Sequence, residues 1–315
     1  MKAIRVHQFG GIDALVCEDV DQPTPGAGQV LVRVEAAGVG PWDAWVRNGS
    51  SAVAQRLPLI PGADLSGIVE RAGPGTNVEP GDVVYGVTNA EFTGAYAEYA
   101  VASATMLARK PTAIGFVEAA SVPVVASTAW QMVFDYGDVD STKRVLVHGG
   151  AGNVGAYAVQ LAKRVAREVV ATALPDDVEY VRALGADHVI DVRTTRFDAT
   201  LSDIDVVLDT VGGDVLARSF AVLKAGGVLV SSAAVPDQNE AARRQVRAVF
   251  FLVKVSSEGL TRISDLIDSG QLLTNVGEVL SLIDARVAHE MLAGRPHKRG
   301  KIVLAVDGSS LSGNQ

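Results

Sequence analysis

Apolar and polar residues follow two different rhythms along this chain. Before about residue 120, short β-type runs (QVLVRVEAAGV, LSGIVERAG, DVVYGVT, AYAEYAVAS) are separated by PGAG, GPGTNVEPGD and FTGA. Such runs, cut at short intervals by Gly, Pro, Asn and Asp, predict an irregular antiparallel or barrel-like domain. From about residue 143 apolar runs alternate with helical spacing: RVLVHGG, a helix, EVVATAL, a helix from Asp176 to Leu184, DHVIDV, IDVVLDTVGG, a helix, GGVLVSSAA and RAVFFLV. Strict alternation of strand and helix predicts right-handed βαβ units in a doubly wound parallel sheet, an α/β architecture. After about residue 257 come two helices, Glu258 to Ser269 and Ala285 to Ala293, and a last strand, GKIVLAV, expected to return to the first domain. The polar tail DGSSLSGNQ is expected to fray. The longest uncharged run, Ala119 to Phe134, contains Pro123 and Gln131. It is shorter than the roughly 20 apolar residues of a spanning helix and predicts a buried helix near the domain junction.

One point in this pattern is chemically specific. Gly150, Gly152 and Gly155 spell G-x-G-x-x-G directly after the apolar strand Val145 to Val147. They open a helix that places Val154, Ala158, Leu161 and Val165 on one face. In that setting Gly150 allows the tight turn, Gly152 lets a pyrophosphate approach the main chain, and Gly155 lets the helix pack on the strand. The free N–H groups at the positive end of the helix then receive the anion. NADH sites carry an Asp or Glu about 20 residues further on to hold the ribose 2′-hydroxyl. Here that region reads Ala171, Thr172, Ala173, Leu174, so NADPH is favoured over NADH. Asp176 and Asp177, following Leu174 and Pro175, read as the cap and first turn of a helix. Pointing inward, their charge would repel a 2′-phosphate.

Composition narrows the class further. At 315 residues, 48% of them apolar, the chain suits about two domains with a substantial core. A net charge of −8 with no Lys/Arg cluster excludes nucleic acid as a partner. The opening MKAIRV has no signal-peptide core, so a cytoplasmic protein with no membrane segment is expected. Cys17 is the only cysteine, which removes internal disulfides and thiolate-rich zinc sites. His7, His148, His188, His289 and His297 show no metal-ligand or base-orienter spacing, and His148 reads as structural.

The runs AAGVGPWDAWVRNG, LPLIPGADLSGIVERAG, EPGDVVYG, GAYAEYAV, AASVPVVASTAWQMVFD, RVLVHGGAGNVGAYAVQLAK, ALGADHVID and RGKIVL span nearly the whole chain. In this order they resemble the medium-chain dehydrogenase/reductase superfamily, and most closely its zinc-free quinone oxidoreductase branch, the zeta-crystallin-like proteins. The resemblance implies a Rossmann doubly wound parallel sheet inserted in a GroES-like, mainly-β substrate domain. The expected limits are 1–121 and 267–315 for the substrate domain and 122–266 for the Rossmann domain. It also implies a homodimer joined through Rossmann edge strands, with VLVSSAA and AVFFLV as those edges. Zinc-dependent relatives carry a Cys in place of Gly40 and Gly-His-Glu in place of Gly62, Ala63 and Asp64. A catalytic zinc needs about three protein ligands, so no zinc and no other metal is expected.

Carried over by position, the resemblance puts Gly150 to Gly155, with Ala151, Asn153 and Val154, on the pyrophosphate. It puts Thr172 and Ala173 beside the adenosine ribose, and Thr210, Val211 and Gly212 along the adenine. Thr128, Ser231, Ser232, Ala233, Phe250, Phe251 and Val253 fall on the nicotinamide half. The Lys and Tyr with which relatives grip the 2′-phosphate are replaced by Val178 and Val192. Arg193, the nearest cation, reads either as their substitute or as a solvated strand end. On the acceptor side Gly40 and Trp45 stand where relatives have Asn and Tyr, which implies a wider, more apolar pocket. Trp42 and Trp45 read either as stacking surfaces for a flat ring or as core. Tyr85 and Asp64 are candidates for polar contacts. In the implied reaction a hydride passes from the nicotinamide to a quinone oxygen or to the β-carbon of an enone, and water can supply the proton. No catalytic side chain is assigned. NADPH-dependent quinone reduction leads. The alternatives are C=C reduction of α,β-unsaturated aldehydes or ketones, and a catalytically silent NADPH-binding structural or regulatory protein.

Overall fold

The computed structural model describes residues 1–306, so the polar tail expected to fray lies outside the described residues. The chain divides into two units, 1–124 with 255 onward, and 125–254.

The first unit begins with the strands β1 (Lys2–Arg5), β2 (Val16–Asp19) and β3 (Gln29–Val39), then the helix α1 (Pro41–Asn48). The strands β4 (Asp64–Ala72), β5 (Val83–Val87), β6 (Tyr99–Ser103) and β7 (Leu107–Arg109) follow. Next comes helix α2 (Phe116–Ala120), and α3 (Pro123–Trp130) starts at the boundary and belongs from Val125 on to the second unit. The uncharged run thus covers the end of α2, the whole of α3, which Pro123 opens where its missing N–H costs nothing, and the start of a π-helical turn over Gln131–Tyr136. After the insert, α9 (Ser257–Asp268), β14 (Val276–Ser281), α10 (Ala285–Leu292) and β15 (Lys301–Ala305) return to this unit. Its larger sheet runs β14-β15-β3-β4-β5-β7, with β6 also paired to β3. The closing strand pairs antiparallel with β3, Ile302 opposite Val39 and Ala305 opposite Ala36. Alternate residues Val30, Val32, Val34, Ala37 and Val39 of β3 join Leu65, Tyr96, Ile302 and Leu304 in the core.

The second unit contains β8 (Arg144–His148), α4 (Asn153–Lys163), β9 (Glu168–Ala173), α5 (Val178–Ala183), β10 (His188–Asp191) and α6 (Phe197–Thr200). It continues through β11 (Ile204–Asp209), α7 (Gly213–Ser219), β12 (Leu223–Ser231), α8 (Gln238–Arg244) and β13 (Arg247–Phe250). All six strands are parallel, in the order β10-β9-β8-β11-β12-β13. Numbered within the unit this is 3-2-1-4-5-6, the dinucleotide-binding order, whose direction reverses between β8 and β11. The central strands are mostly apolar because both faces are covered, and all six residues of β11, Asp205 and Asp209 among them, are buried.

Two expectations need correction. The second domain boundary falls at residue 254/255 and not at 266/267, because α9 is bound into the first unit. The Tyr85 hydroxyl donates to the Leu260 carbonyl at 2.7 Å, and the Ser264 hydroxyl lies 3.0 Å from Tyr85 and 3.2 Å from the Arg109 carbonyl. At its far end the Asp268 carboxylate accepts from the Ala113 N–H at 2.9 Å. Of the two segments expected as sheet edges, VLVSSAA lies in β12, flanked by β11 and β13. Only the second reaches an edge, as β13.

Candidate functional site

The reversal point in the second unit brings the carboxyl ends of β8 and β11 side by side, and the glycine turn leaves from β8. Gly152 is the N-cap of α4 and has no side chain with which to cap it. The first N–H groups of that helix are therefore left for a ligand or solvent. Ala151, Gly152, Asn153 and Val154 are accessible, whereas Gly155 is buried. A Cβ on Gly155 would stand 2.0 Å from the Gly149 carbonyl oxygen, so the helix start can lie this close to the turn only with glycine there. On Gly152 a Cβ would meet only the Gly149 carbonyl oxygen, at 3.2 Å, a tight contact that a shift of a few tenths of an ångström in the turn would relieve.

Beside the turn is a cavity of about 310 Å³ walled by Gly149, Thr172, Ala173, Val192, Val211 and Arg196, among others. It collects three expected residues, Thr172, Ala173 and Val211, but not Arg193, whose backbone N–H is held by the Asp191 carboxylate. The cations in its wall are Arg196 and Arg218. Both reach Asp198, at 2.7 and 2.8 Å, and Arg218 also reaches Asp214 at 2.8 Å. The Arg196 guanidinium, followed by that of Arg218, holds the Asp198 carboxyl down at about 2. No carboxylate stands at the end of β9, where the wall is Thr172, Ala173 and Leu174.

His148 forms the floor of this cavity. Its ring lies 3.2 Å from the Thr172 hydroxyl and 3.0 Å from that of Ser219. Burial, with the Arg218 charge nearby, pushes the imidazole down to about 3, so it is a neutral strut. Thr210 is tied in too, its hydroxyl donating to the His148 carbonyl at 2.7 Å.

Asp209, which the motif reading did not single out, organises the two loops beyond β11 and β12. Its carboxylate accepts from the N–H groups of Val211 and Gly212 at 3.1 and 3.0 Å and from the Ser231 hydroxyl at 2.7 Å. Ser231 in turn accepts from the N–H groups of Ala233 and Ala234 at 3.1 Å each. Ser231 is therefore a loop clamp, not a free ligand group. Thr128 is buried on α3, and Phe251 is stacked on Tyr136 with ring centroids 4.5 Å apart.

In the first unit, Gly40 is the N-cap of α1 and Trp42 and Trp45 lie on that helix. Trp45 is 52% exposed, while Trp42 is half-buried, edge-on to Phe92 with centroids 6.2 Å apart. Two expected polar contacts are corrected. Tyr85 is fully buried and its hydroxyl is committed to α9. Asp64 is 0% exposed, accepting from the Val124 N–H at 2.9 Å and facing the Lys301 ammonium at 3.0 Å. Burial holds the Asp64 carboxyl above its usual range, with Lys301 pulling the other way. Asp43 lies close by, accepting from the Gly40 N–H at 2.8 Å and the Tyr96 hydroxyl at 2.9 Å. Two buried carboxyls lie near one ammonium; burial raises both, and takes that of Asp43 up to about 7.

These residues do not fit a catalytic zinc. Gly40 and Ala63 offer no donor atom, and the one carboxylate available, Asp64, is already paired with an ammonium. Among the described residues no group of three His, Cys, Asp or Glu could hold a metal ion, and no helix is long and apolar enough to cross a membrane.

The geometry defines an oxidoreductase built from a substrate-type β domain and a dinucleotide-binding sheet. Comparison with known proteins agrees. Residues 26–112 match the family model described as alcohol dehydrogenase GroES-like domain, and residues 184–304 match that of zinc-binding dehydrogenase. The NADPH-dependent alkenal/one oxidoreductase of Arabidopsis thaliana is 32% identical, over 96% of this chain and 79% of its own. The quinone oxidoreductase of Lama guanicoe is 29% identical over 96% and 97%. The structure of the quinone oxidoreductase from Coxiella burnetii superposes with a TM-score of 0.90 at 34% identity, covering 98% of this chain and 99% of that one. The chain belongs to the medium-chain dehydrogenase/reductase superfamily of nicotinamide-dependent oxidoreductases, within its quinone oxidoreductase-like branch.

Proposed function

We propose that this protein is an NADPH-dependent, zinc-independent quinone oxidoreductase. The observation that carries the reading is the uncapped start of α4 at the reversal point, beside a cavity with two arginines and no carboxylate at the end of β9. A diphosphate suits the first feature. A 2′-phosphate suits the second, since Arg196 can exchange part of its contact with Asp198 for a phosphate oxygen. A nicotinamide supplies the hydride when bound. The chain's own part is to grip the diphosphate at residues 150–155, to hold the adjoining loops through Asp209 and Ser231, and to offer Trp42 and Trp45 to a flat acceptor.

Support for a quinone comes from the printed activities of the Lama guanicoe and Coxiella burnetii proteins. A second reading, reduction of a conjugated alkenal or alkenone, is favoured by the Arabidopsis relative. Steady-state oxidation of NADPH and NADH against parallel panels of quinones and enones, repeated after treatment with a chelator, decides. Faster turnover of quinones with NADPH, unaltered by the chelator, is expected. Turnover confined to enones replaces the first reading with the second, and NADPH binding without oxidation by any acceptor removes both. We further propose a homodimer joined by pairing of two β13 edges. Sedimentation should then show a dimer that a proline at Val249 dissociates.

A further inference from the structure

The ion pair under α1 has a third member. Lys301 has its ammonium 4.3 Å from the centroid of the Trp42 ring and 3.0 Å from the Asp64 carboxylate, with only 2% of its side chain exposed. Strand pairing brings these residues together. Ile302 is opposite Val39, so Lys301 comes level with Gly40. Asp64 opens β4, the strand on the other side of β3, where Leu65 is opposite Ala37. Gly40 completes the arrangement, because a Cβ there would lie 2.2 to 2.4 Å from three atoms of the Trp42 ring. Its backbone is extended, a conformation open to any residue, so the absence of a side chain serves the indole alone.

Stability does not call for this pair. Dehydrating an ammonium and a carboxylate is costly, and apolar residues of similar volume usually fill such a place as well or better. What the pair adds is a fixed cation against an aromatic face, an attraction that strengthens when it is removed from water. That face belongs to one of the two tryptophans assigned to the acceptor.

We propose that Lys301 is a positioning residue for the acceptor: its ammonium, anchored by Asp64, holds the Trp42 indole over Gly40 as a flat platform for a planar conjugated substrate. The inference rests on the placement of the acceptor on α1 in the proposed function. The indole's fixation can be read without turnover.

Three disruptive variants and one conservative replacement, Lys301→Arg, test it. Lys301→Met removes the cation. Asp64→Asn/Lys301→Met removes both charges, keeps an acceptor for the Val124 N–H, and serves if the single variant does not fold. Gly40→Ala leaves both charges and displaces the ring. With ¹⁵N-labelled tryptophan, the three indole N–H signals are followed in the cofactor-free protein. Cofactor affinity, acceptor KM and kcat are then measured in the holoenzyme. The Trp42 signal is expected to shift and its hydrogen exchange to quicken about tenfold in each disruptive variant. Acceptor KM should rise about tenfold with kcat changed far less and NADPH affinity unaltered, and Lys301→Arg should recover part of the loss. A folded Lys301→Met or double variant with wild-type Trp42 signal and wild-type KM overturns the proposal. Should the wild-type protein turn over no acceptor, the proposed function fails, and the Trp42 signal alone then decides whether Lys301 holds the ring.

Discussion

The two units manage charge in opposite ways. In the second, the surface proposed to receive the diphosphate is made by leaving things out: no side chain on Gly152, no cap on α4, no carboxylate at the end of β9. In the first, charges are brought inside and given polar partners there, with Lys301 against Asp64, Asp43 on Tyr96, and Arg47 2.7 Å from His289. The difference teaches where each kind of specificity comes from. A strongly anionic ligand needs exposed main-chain dipoles that are already oriented. A flat, neutral acceptor offers little charge to grip, so what matters is a rigid surface, and internal charges can fix one.

The sharpest way to break the comparison is Gly152→Val. A Cβ there crowds only the Gly149 carbonyl oxygen, at 3.2 Å, whereas a diphosphate touching the same main chain leaves no space for a side chain. Titration by nucleotide fluorescence should show about a hundredfold loss of NADPH affinity in the folded variant. Retained affinity would show that the bare turn is architecture only. Next in size is Arg196→Ala. It should weaken NADPH by about tenfold while leaving NADH nearly unchanged, whereas Arg193→Ala should leave both nearly unchanged, as a ratio of dissociation constants will show. Equal losses for both nucleotides would take Arg196 away from the 2′-phosphate.

Smaller effects probe the first unit. Tyr85→Phe removes the bonds to Leu260 and Ser264 and should cost about 1–2 kcal/mol in denaturant unfolding. With Tyr85 a strut for α9, acceptor KM should not move. The last effect is a tilt with pH. Because burial raises the Asp43 carboxyl to about 7, the native protein keeps a proton that the unfolded chain releases near the ordinary value of 3.8. Stability is therefore lost as pH rises between those values and levels off above them. Asp43→Asn can keep an oxygen for the Gly40 and Tyr96 donors and has no proton to lose. Its melting temperature relative to wild type should accordingly be more favourable at pH 8 than at pH 4.5. His148 and His289, both pushed down to about 3 by burial, destabilise either protein alike as pH falls below 6.5 and cancel in the difference.

What was legible in the sequence follows the same divide. The glycine turn, the six parallel strands and the missing carboxylate after β9 are local features, each confined to a short run of residues. Periodicity and turn chemistry therefore suffice to read them. Arg196 lines the cavity and Arg193, three positions earlier, does not, and one-dimensional distance does not encode which of the two faces it. Asp209 carried a faint signal, as a carboxylate ending a fully buried strand. Lys301, Asp64 and Asp43 are separated by up to 258 positions, from residue 43 to residue 301. Nothing nearby marked them as neighbours. A lysine opening an otherwise apolar strand, GKIVLAV, was the one hint that its charge would need a partner inside. The misplaced boundary at residue 266 has a similar origin: α9 reads as a helix in either domain, and only its bonds to Tyr85 and Arg109 decide between them.

The late position of β15 in the chain bears on biosynthesis. Residues 125–254 form one uninterrupted stretch, so on the ribosome the nucleotide-binding unit has all its strands well before the end of translation. The other unit must wait. Its β3 lacks a neighbour, and Asp64 a counter-ion, until residues 301–305 emerge. A nascent chain thus carries an open, aggregation-prone strand edge for most of its synthesis. Truncation just before Lys301 should leave this half chaperone-dependent while the insert still matures.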